Sequence, residues 1–513
     1  DAMSYSINAH GKTFKPPRQT SLSPHGMNWK SMVYAPNRLL TPMKRVDFDP
    51  NGERNIANRG VSGYEPISWD EAFDLVASEI KRMKRDYGQG AIAQSNGSHH
   101  TWGNIGYYLS AKMRFMNAIG TTEVHHNPDS WEGWYWGAVH HWGGSLRTME
   151  DCLKNAEMVV FWSSNPEATN GIYSGFEGSI RRKWLKELDL KIVHIDPHLN
   201  DTAQFLGGKW IAPKPTTSPA LALAIANVWM NEELYDKEYV ASRTQGFETW
   251  SDYVLGKEDG VAKTPEWQEQ ETSVSAKDVR ALAREWASKR TYLAAGGMGN
   301  TFGGAARNPT GSQWTRTMVC LMAMQGLGKP GINFGNMQMG VPHDFGFYFP
   351  GYADGGISGD LNNTALAVSL YQRMPQLATM NPSSQKIPRL KLPDAIIDGH
   401  TEGHLWDART IEGQFSEAVY PAPGHSPVHM LYRYGNSILG TLSDANRYVS
   451  MYRSSNLEFV VNQSIWDEGD TQFADVILPA CTHLERTDIG EWANAGGYGA
   501  HFNSQVNHRV IAF

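Results

Sequence analysis

Runs of apolar residues alternate with stretches of helical periodicity along this chain. Met158–Trp162 is apolar throughout, and Lys191–Ile195 is a second short run rich in β-branched residues. A helix is predicted between them, over roughly 174–187. A strand, a crossover helix and a second strand in succession form a right-handed unit with parallel strands. The pattern therefore predicts one βαβ unit within a parallel sheet.

The same order of elements recurs outside this unit. Ser68 and Glu71 form a capping box, in which side chains satisfy free amide groups at a helix start, and Gly88 or Gly90 ends that helix. Apolar spacing predicts further helices over about 102–116, 219–230 and 313–325, and strands over about 91–93, 292–295, 459–461 and 474–479. The predicted fold class is α/β with doubly wound sheets, and no tandem repeat is present.

Polar or glycine-rich loops follow three of the predicted strands. They are Ser163–Pro166, Asp196-Pro197 and Gly296–Gly304. Ligands of open α/β sheets bind beyond the carboxyl ends of the strands, and small residues let backbone N–H groups approach a phosphate closely. Together the loops indicate a bound nucleotide or pyrophosphate, although each alone is also typical of a tight turn. The chain has neither GxGxxG with a downstream acid nor a P-loop, which disfavours ordinary NAD or ATP binding.

Composition and charge exclude several other classes of protein. The 513 residues predict roughly three domains, and 41% hydrophobic with 19% charged residues excludes a disordered chain. The net charge of −7, without a long basic run, disfavours nucleic acid and anionic membranes as partners. The longest apolar run, Ala220–Ala226, is far shorter than the roughly 20 residues that span a bilayer. The first residues contain no signal-peptide core.

Cysteine is sparse and scattered. The three cysteines, Cys152, Cys320 and Cys481, lie far apart in the sequence, which excludes a CxxC zinc site and a local cradle for an iron–sulfur cluster. An odd, low count also disfavours a disulfide scaffold and favours a reducing, cytoplasmic compartment.

The segment His125–Trp136 is the most unusual in the chain. It holds three tryptophans, a tyrosine, two acids and two histidines. Such side chains offer flat apolar walls with polar tips, which suit an aromatic ligand. The N-cap of a helix beginning at Trp131 explains Asp129 or Ser130 equally well, with Glu132 closing a capping box.

Histidines also follow other predicted strands. His99 lies in a loop beyond a strand end, where it could move protons near neutral pH, but a half-buried structural histidine is the alternative. His194 and His198 flank Asp196, where a metal site is conceivable, although the ligand spacing is not compact. Tyr352 belongs to an aromatic, glycine-rich stretch, for which core packing is the alternative.

Four segments together resemble the molybdopterin oxidoreductases of the dimethyl sulfoxide reductase family. In chain order they are Pro66–Ala72, Trp162–Pro166, Asp196-Pro197 and Ala474–Ala480. Within that family the chain is most similar to the transhydroxylases of polyhydroxylated benzenes. That likeness covers almost the whole chain and is carried by four segments: Gly11–Phe14, His126–Trp134, Phe349–Ala353 and Phe459–Trp466.

The resemblance implies a dimethyl sulfoxide reductase-like fold with two α/β domains. Residues 151–335 would form a Rossmann-like domain that binds one pterin guanine dinucleotide. Residues 61–150 and 336–513 would form a discontinuous α/β domain with the metal ligand. Independently of the resemblance, residues 1–60 are rich in Pro, Asn, Arg and Gly with little periodicity, which predicts an extended segment. The family's C-terminal β-barrel domain would be missing from this chain. Molybdenum, or tungsten in the same site, would be held by two molybdopterin guanine dinucleotides.

The resemblance also assigns residues to roles. Ser130 would be the protein ligand to the metal. Substrate-handling roles would fall to His99, Tyr107, Asp129, Trp131 and Tyr352. The residues implied in cofactor binding are Trp162, Ser163, Ser164, Asn165, Asp196, Pro197, Thr217, Gly297, Gly299 and Asp475.

The activity that the resemblance implies is hydroxyl transfer between phenolic rings. Pyrogallol would become phloroglucinol, with 1,2,3,5-tetrahydroxybenzene as co-substrate and no net redox change. Two alternatives stay open: a related phenol hydroxylase or catechol dehydroxylase with net redox chemistry, and a non-catalytic or truncated pterin-binding subunit. The expected partner is a small iron–sulfur subunit, because three isolated cysteines cannot supply the four thiolates of a cluster.

Overall fold

The computed structural model describes most of the chain and divides it into two compact units. The described residues are 6–15, 28–96, 112–125, 137, 141, 149–170, 177–295, 310–335, 381–406, 415–435, 437–482, 485, 487–491 and 509–512. Unit 1 comprises Asp1–Asn28, Pro128–Phe347 and Tyr498–Gln505. Unit 2 comprises Trp29–Asn127, Tyr348–Gly497 and Val506–Phe513.

The strands are short, and each unit is built around one larger sheet. In chain order the described strands are β1 (Ile7–Ala9), β2 (Lys12–Phe14), β3 (Met43–Arg45), β4 (Tyr64–Pro66), β5 (Ile92–Asn96), β6 (Thr122–His125), β7 (Met158–Trp162), β8 (Lys191–Ile195), β9 (Lys209–Ile211), β10 (Thr291–Ala295), β11 (Phe334–Gly335), β12 (Lys386–Pro388), β13 (Thr401–Trp406), β14 (Phe415–Tyr420), β15 (Met430–Tyr434), β16 (Phe459–Ser464), β17 (Val476–Pro479), β18 (Asp488–Glu491) and β19 (Arg509–Ala512).

Helices connect these strands. The described α-helices are α1 (Trp29–Val33), α2 (Trp69–Asp86), α3 (Met113–Ile119), α4 (Met149–Asn155), α5 (Pro166–Asn170), α6 (Glu177–Glu187), α7 (Asp201–Leu206), α8 (Ser218–Asn231), α9 (Lys237–Arg243), α10 (Phe247–Val254), α11 (Pro265–Thr272), α12 (Ala276–Ala287), α13 (Gly311–Met324), α14 (Leu392–Ile397), α15 (Ile438–Thr441) and α16 (Ala445–Tyr452). The capping box that predicts the start of α2 is confirmed, since the Glu71 amide donates to Ser68 Oγ at 3.1 Å. Of the helix predicted over about 102–116, residues 101–111 lie outside the described residues.

Unit 1 contains a five-stranded sheet in which every pairing is parallel. The strand order is β11-β10-β7-β8-β9. The predicted βαβ unit is confirmed: β7 and β8 are parallel neighbours, and α6 lies between them in the sequence. The chain runs from β7 outward to β8 and β9, and then returns to the other side of β7 as β10. The change of direction falls between β7 and β10, which is where ligands of such sheets bind.

Both faces of this sheet are covered by apolar side chains. Met158, Val160 and Trp162 of β7 pack into one core with α8 and α13, whereas Val159 and Phe161 pack into another with Trp184 of α6. Alternate residues of a strand point to opposite faces, and a parallel sheet buried on both faces therefore needs an apolar run without alternation. The uninterrupted apolar run Met158–Trp162 meets this requirement.

His194 of β8 is a buried polar residue within this sheet. Its ring is 1% exposed, stacks on Phe161 at 5.1 Å between centroids, and bonds through Nε2 to the Gly207 carbonyl at 2.9 Å. A metal role is not supported, because no group of three His, Cys, Asp or Glu side chains suited to a metal occurs among the described residues.

The free energy of unfolding should decrease at acidic pH because of His194. Desolvation lowers its pKa, so the unfolded chain takes up this proton at higher pH than the folded one. This contribution to the free energy of unfolding is complete above about pH 6.5, the ordinary histidine pKa. At lower pH it decreases by at most about 1.4 kcal/mol per pH unit. Urea titrations between about pH 5 and 8 should show a shallower pH dependence for His194→Gln. Equal slopes for the unchanged protein and the His194→Gln variant would contradict the prediction.

Unit 2 contains an eight-stranded sheet assembled from distant parts of the chain. Its order is β12-β6-β5-β15-β16-β17-β3-β4. The six strands from β12 to β17 are parallel, and β3 and β4 are antiparallel additions at one edge. Predicted strands at 91–93, 459–461 and 474–479 are thus found in one sheet as β5, β16 and β17.

The N-terminal residues differ from the single extended segment predicted over 1–60. β1 and β2 form a hairpin that belongs to unit 1. β3 instead joins the eight-stranded sheet of unit 2, where Lys44 and Met43 pair with Val476 and Ile477. The main-chain hydrogen bonds of β3 are therefore satisfied within the sheet, which the Pro- and Asn-rich composition of this region does not reveal.

No helix in the described part of the chain is long and apolar enough to cross a membrane.

Candidate functional site at a parallel-sheet edge

The loop after β7 turns sharply at the carboxyl end of the five-stranded sheet. Ser163 adopts a left-handed backbone conformation with φ of 47°, which is uncommon for a residue other than glycine. Its amide donates to the Ile195 carbonyl of the neighbouring strand at 2.8 Å. The Trp162 ring before it is fully buried, and its Nε1 donates to Ser218 Oγ at the start of α8 at 3.1 Å. The turn is therefore attached to β8 and α8.

Ser164 and Asn165 join this loop to the one that follows β8. The Asn165 amide oxygen accepts hydrogen bonds from the Thr202 amide at 3.1 Å and its hydroxyl at 2.9 Å. The Asn165 Nδ2 donates to the Asp201 carboxylate at 3.0 Å. Ser164 is 1% exposed, and among the described residues its hydroxyl has no hydrogen-bond partner. A buried hydroxyl without a partner costs free energy, so a ligand atom that pairs with it would be favoured here.

Asp196 organises the loop after β8. Its carboxylate accepts from the His198 amide at 3.1 Å and from Asn200 Nδ2 at 3.0 Å, and it lies 2.9 Å from His198 Nδ1. Its carbonyl accepts from Trp210 Nε1 at 2.9 Å. Pro197 is exposed beside it. The carboxylate is thus held in a fixed position at the strand end, with its side chain 11% exposed.

Thr217 shapes the turn that leads into α8. Its hydroxyl donates to the Lys214 carbonyl at 2.7 Å, and Thr216 before it has a positive φ of 70°. The next residue, Ser218, holds the Trp162 indole, so this turn adjoins the loop after β7. Of the predicted cofactor-binding residues, Trp162, Ser163, Ser164, Asn165, Asp196, Pro197 and Thr217 all lie at the carboxyl edge of the five-stranded sheet, whereas Gly297 and Gly299 lie outside the described residues.

Several polar residues of this edge are absent from the sequence prediction. They are Asn200, Asp201, Thr202, Trp210 and Ser218, each of which bonds to a predicted residue. Asn200 was accessible to sequence reasoning, because Asn-Asp-Thr-Ala is a typical N-cap pattern and its side chain accepts from the Ala203 amide at 2.9 Å. Trp210 and Ser218 carry no local signal, since only the sheet brings them to Asp196 and Trp162.

Asp475 has a different role from the cofactor contact predicted for it. Its carboxylate bonds to Arg45 at 3.0 Å, to the Arg59 guanidinium and to the Val460 amide at 2.9 Å. The side chains of Asp475, Arg45 and Arg59 are all 0% exposed. No surface of the carboxylate is accessible to a ligand, and we therefore correct the prediction to a buried ion-pair network.

Asp475→Asn should lower the free energy of unfolding by about 3–5 kcal/mol, because the buried Arg59 guanidinium loses its counter-ion and Arg45 keeps only its ion pair with Asp47. The pterin content per folded molecule should stay unchanged. Glu65→Gln removes a 48% exposed acid that pairs with Lys44 on the same sheet and should cost less than about 1 kcal/mol. Urea denaturation and pterin fluorescence measure the two effects. Lost pterin at normal stability would restore the cofactor role.

The proposed catalytic residues follow the carboxyl ends of two neighbouring strands of unit 2. β5 ends at Asn96, shortly before His99, and β6 ends at His125, shortly before Asp129. β5 and β6 are parallel neighbours, with Gln94 in register with Glu123. Both segments therefore leave the sheet at the same edge. The proposed site residues His99, Tyr107, Asp129, Ser130, Trp131 and Tyr352 themselves lie outside the described residues.

Comparison with known families identifies this architecture. The family model described as molybdopterin oxidoreductase matches residues 38–495, which is most of the chain. The chain belongs to the molybdopterin oxidoreductase family. A second family model, described as pyrogallol hydroxytransferase large subunit-like, domain 1, matches residues 1–32.

Individual relatives of this molybdopterin oxidoreductase agree with that assignment. The chain is 52% identical over 538 aligned residues to the pyrogallol hydroxytransferase large subunit of Pelobacter acidigallici, which covers 100% of this chain and 61% of the relative. It is 30% identical over 491 residues to the dimethyl sulfoxide/trimethylamine N-oxide reductase of Rhodobacter capsulatus, covering 90% of this chain and 54% of that enzyme. The chain thus spans between half and two thirds of the length of these relatives.

A solved structure shares the fold. Acetylene hydratase from Pelobacter acetylenicus superposes with a TM-score of 0.58 at 18% identity, covering 95% of this chain and 62% of that one. At this identity the likeness speaks for the fold alone. It agrees with the predicted α/β fold of parallel sheets, which is confirmed.

Proposed function

We propose that this chain belongs to a molybdenum enzyme that transfers a hydroxyl group between polyhydroxylated benzenes. The conversion is that of pyrogallol to phloroglucinol, with 1,2,3,5-tetrahydroxybenzene as co-substrate and no net redox change. The observation that carries the proposal is the 52% identity over the entire chain to the Pelobacter acidigallici pyrogallol hydroxytransferase large subunit. The match of residues 1–32 to a domain model described as pyrogallol hydroxytransferase large subunit-like supports it.

The proposed cofactor is molybdenum with two molybdopterin guanine dinucleotides. The strand-end loops of unit 1 fit the nucleotide end of one of them. Ser164 offers a buried hydroxyl without a partner among the described residues, and Asp196 offers a fixed acceptor. Pro197, Thr217, Gly297 and Gly299 are proposed to line the same nucleotide. Ser130 is the proposed protein ligand to the metal. When bound, this cofactor supplies the oxygen and electron-transfer chemistry.

The protein's own proposed contribution is to orient the phenol and to move protons. Asp129, adjacent in sequence to Ser130, accepts and returns the proton of the hydroxyl that is transferred. His99 exchanges a proton with a ring oxygen, a role that suits histidine because an imidazole can both donate and accept a proton. Tyr107 and Tyr352 bond to the phenolic hydroxyls, and Trp131 lies against the ring.

The proposed partner is a small iron–sulfur subunit. The name of the Pelobacter acidigallici relative, a large subunit, supports the existence of a second chain. The three cysteines of this chain are free, one of them buried, and stand far apart in the sequence. Any clusters are therefore assigned to the partner, and the free thiols agree with the proposed cytoplasmic location.

One experiment tests this proposal directly. The full-length protein, purified with its partner, is analysed for molybdenum, tungsten and released GMP, and is then incubated with pyrogallol and catalytic 1,2,3,5-tetrahydroxybenzene. Phloroglucinol formed without an added electron donor or acceptor is the expected result. Turnover that requires an external donor or acceptor would identify a hydroxylase or dehydroxylase instead, and absence of pterin would contradict both.

A further inference from the structure

β4 lies at an open edge of the eight-stranded sheet of unit 2. It is last in the strand order, and among the described residues it pairs only with β3. The Val46 amide donates to the Gly63 carbonyl at 3.1 Å, so the main-chain groups of Gly63 and, two residues on, of Glu65 face β3. The main-chain groups of Tyr64 and Pro66 alternate with these and therefore point away from the sheet.

The outward main-chain groups of β4 are unoccupied within the described part of the chain. Tyr64 offers an N–H and a carbonyl, and Pro66 offers a carbonyl alone because proline has no N–H. None of the three has a hydrogen-bond partner among the described residues. The strand is held in place from behind, since the Tyr64 hydroxyl donates to the Ala474 carbonyl at 2.8 Å. A fixed strand edge of this kind is a template for one more strand, and its proline keeps the ladder short.

Two exposed aromatic rings follow this edge at the start of α2. Trp69 is 44% exposed and Phe73 is 57% exposed, and their ring centroids lie 5.3 Å apart. Trp69 follows Pro66 by three residues, so at most about 11 Å separates their Cα atoms. The buried side of α2 includes Ala72 and Val76 instead. The two rings thus extend the apolar side of the helix beyond the core of the unit, next to the open strand edge.

The exposed charges around the strand edge and the two rings are acidic. Between residues 40 and 78, the exposed charged side chains are those of Asp49, Glu53, Glu65, Asp70, Glu71 and Asp74. The cations of the same stretch are buried or half-buried and paired with acids; they are Lys44, Arg45, Arg54 and Arg59. Asp70 lies three residues before Phe73, a spacing that makes the two side chains neighbours on the helix surface. This surface therefore attracts a basic partner and repels an acidic one.

This charge pattern disfavours two other occupants of the surface. A second copy of the chain would bring the same acids together, because a twofold interface uses the same surface of both copies. An anionic membrane would be repelled by the acids as well. A separate polypeptide with an apolar and basic segment satisfies the rings, the acids and the free main-chain groups at once.

We propose that the β4 edge, with Trp69 and Phe73 of α2, binds the partner subunit of this enzyme through an extended segment that carries apolar and basic side chains. The segment adds to β4 as a further strand and forms main-chain hydrogen bonds with Tyr64 and Pro66. Its apolar side chains pack against the two rings, and its cations face the acids of α2. The inference rests on the proposed function only in requiring a partner subunit, and it is independent of the reaction.

Protection experiments on the full-length large chain, alone and with its partner subunit, locate this interface. The readouts are residue-resolved hydrogen–deuterium exchange at the Tyr64 amide and hydroxyl-radical oxidation of Trp69 and Phe73. All three positions should lose most of their labelling in the complex, because a strand ladder protects the amide and burial shields the rings. Phe205, a 42% exposed residue of unit 1, is the internal reference and should be oxidised equally in both samples.

Two results of this experiment would overturn the proposal. The first is unchanged labelling of Tyr64, Trp69 and Phe73 when the complex forms. The second is full protection of the three positions in the large chain alone, which would show that another part of the same chain covers the surface.

A ring variant gives an independent measure of affinity. Trp69→Ala should weaken binding of the partner subunit by about 30-fold, as expected for a tryptophan at the centre of an interface. Because the ring is exposed in the large chain, its melting temperature should change little. Phe205→Ala removes an exposed ring from unit 1 and should leave the dissociation constant unchanged. Equal affinities for the Trp69→Ala and unchanged proteins would contradict the proposal.

A charge variant tests the basic character of the partner. Asp70→Asn combined with Asp74→Lys should lower the association rate at least about tenfold at low salt, and much less at high salt. Glu248→Gln combined with Glu258→Lys alters the net charge by the same amount at exposed positions of unit 1 and should leave the rate unchanged. An association rate that responds equally to both double variants would reject a basic partner at this surface.

Subunit assembly and turnover are measured on the same samples, so that this inference and the proposed function fail separately. Protection of Tyr64, Trp69 and Phe73 in a complex that does not convert pyrogallol would retain the interface and reject the proposed function. Pyrogallol turnover by a complex in which these positions stay unprotected would retain the function and reject the interface.

Discussion

Replacement of Asp129 by asparagine should lower kcat per molybdenum by about 10²–10⁴-fold, the usual contribution of general acid–base help. Asparagine keeps the shape and the hydrogen bonds of aspartate but cannot accept the proton of the transferred hydroxyl. His99→Phe should also reduce kcat while metal and pterin content stay normal, because a ring of similar bulk preserves the wall of the site. The measurement is steady-state phloroglucinol formation, normalised to metal content.

The competing role for Asp129 is a helix N-cap, and the chain supplies a matched control. Asp236 is an observed N-cap, whose carboxylate accepts from the Tyr239 amide at 2.8 Å in unit 1. Asparagine is also a good N-cap, and the half-exposed ion pair of Asp236 with Lys329 is worth at most about 1 kcal/mol, so Asp236→Asn should lower the melting temperature only slightly and leave kcat unchanged. If Asp129→Asn behaves like Asp236→Asn, Asp129 takes no part in proton transfer.

Ser130→Ala should abolish turnover and change the electronic spectrum of the metal centre. The reason is that a ligand oxygen is removed, whereas loss of a cap alone costs about 1 kcal/mol of stability and spares activity. X-ray absorption at the molybdenum edge, together with activity per pterin, measures the effect.

Ser68→Ala is the control for the loss of stability that removal of a helix cap causes. Ser68 caps α2 through the Glu71 amide at 3.1 Å, and its loss should lower the melting temperature slightly at full activity. A Ser130→Ala enzyme with a normal spectrum and normal activity would show that Ser130 is only a cap.

Local sequence signals predict the helices and strands. They also predict the polar loops at the carboxyl edge of the five-stranded sheet. The apolar run Met158–Trp162 and the capping box at Ser68 operate over a few residues, because strand pleat and helix caps depend on near neighbours. The loops after β7 and β8 were predictable for the same reason. Two parallel neighbours present their carboxyl ends at one edge, so the pairing of β7 with β8 brings the loops of Asn165 and Asp196 to the same edge.

The roles of the site residues were predicted from the family resemblance more than from the sequence pattern. Composition and spacing left Asp129 and Ser130 equally well explained as helix caps, since a cap and a ligand draw on the same short polar side chains. Family membership resolves the fold and the class of cofactor. The roles of His99, Asp129 and Ser130 stay predictions for the experiments above.

Tertiary structure alone decided the role of Asp475 and the neighbours of Lys112. Asp475 meets Arg45 and Arg59 across 430 and 416 residues of sequence, and it does so because β3 pairs with β17 at one side of the sheet. Lys112 reaches Gln94 and Tyr434 because β5 and β15 are neighbours. The sequence by itself determined which segments become strands and helices, through periodicities that a few residues can carry. The order of strands in a sheet depends on contacts between segments hundreds of residues apart, and that order decides which charges are buried together.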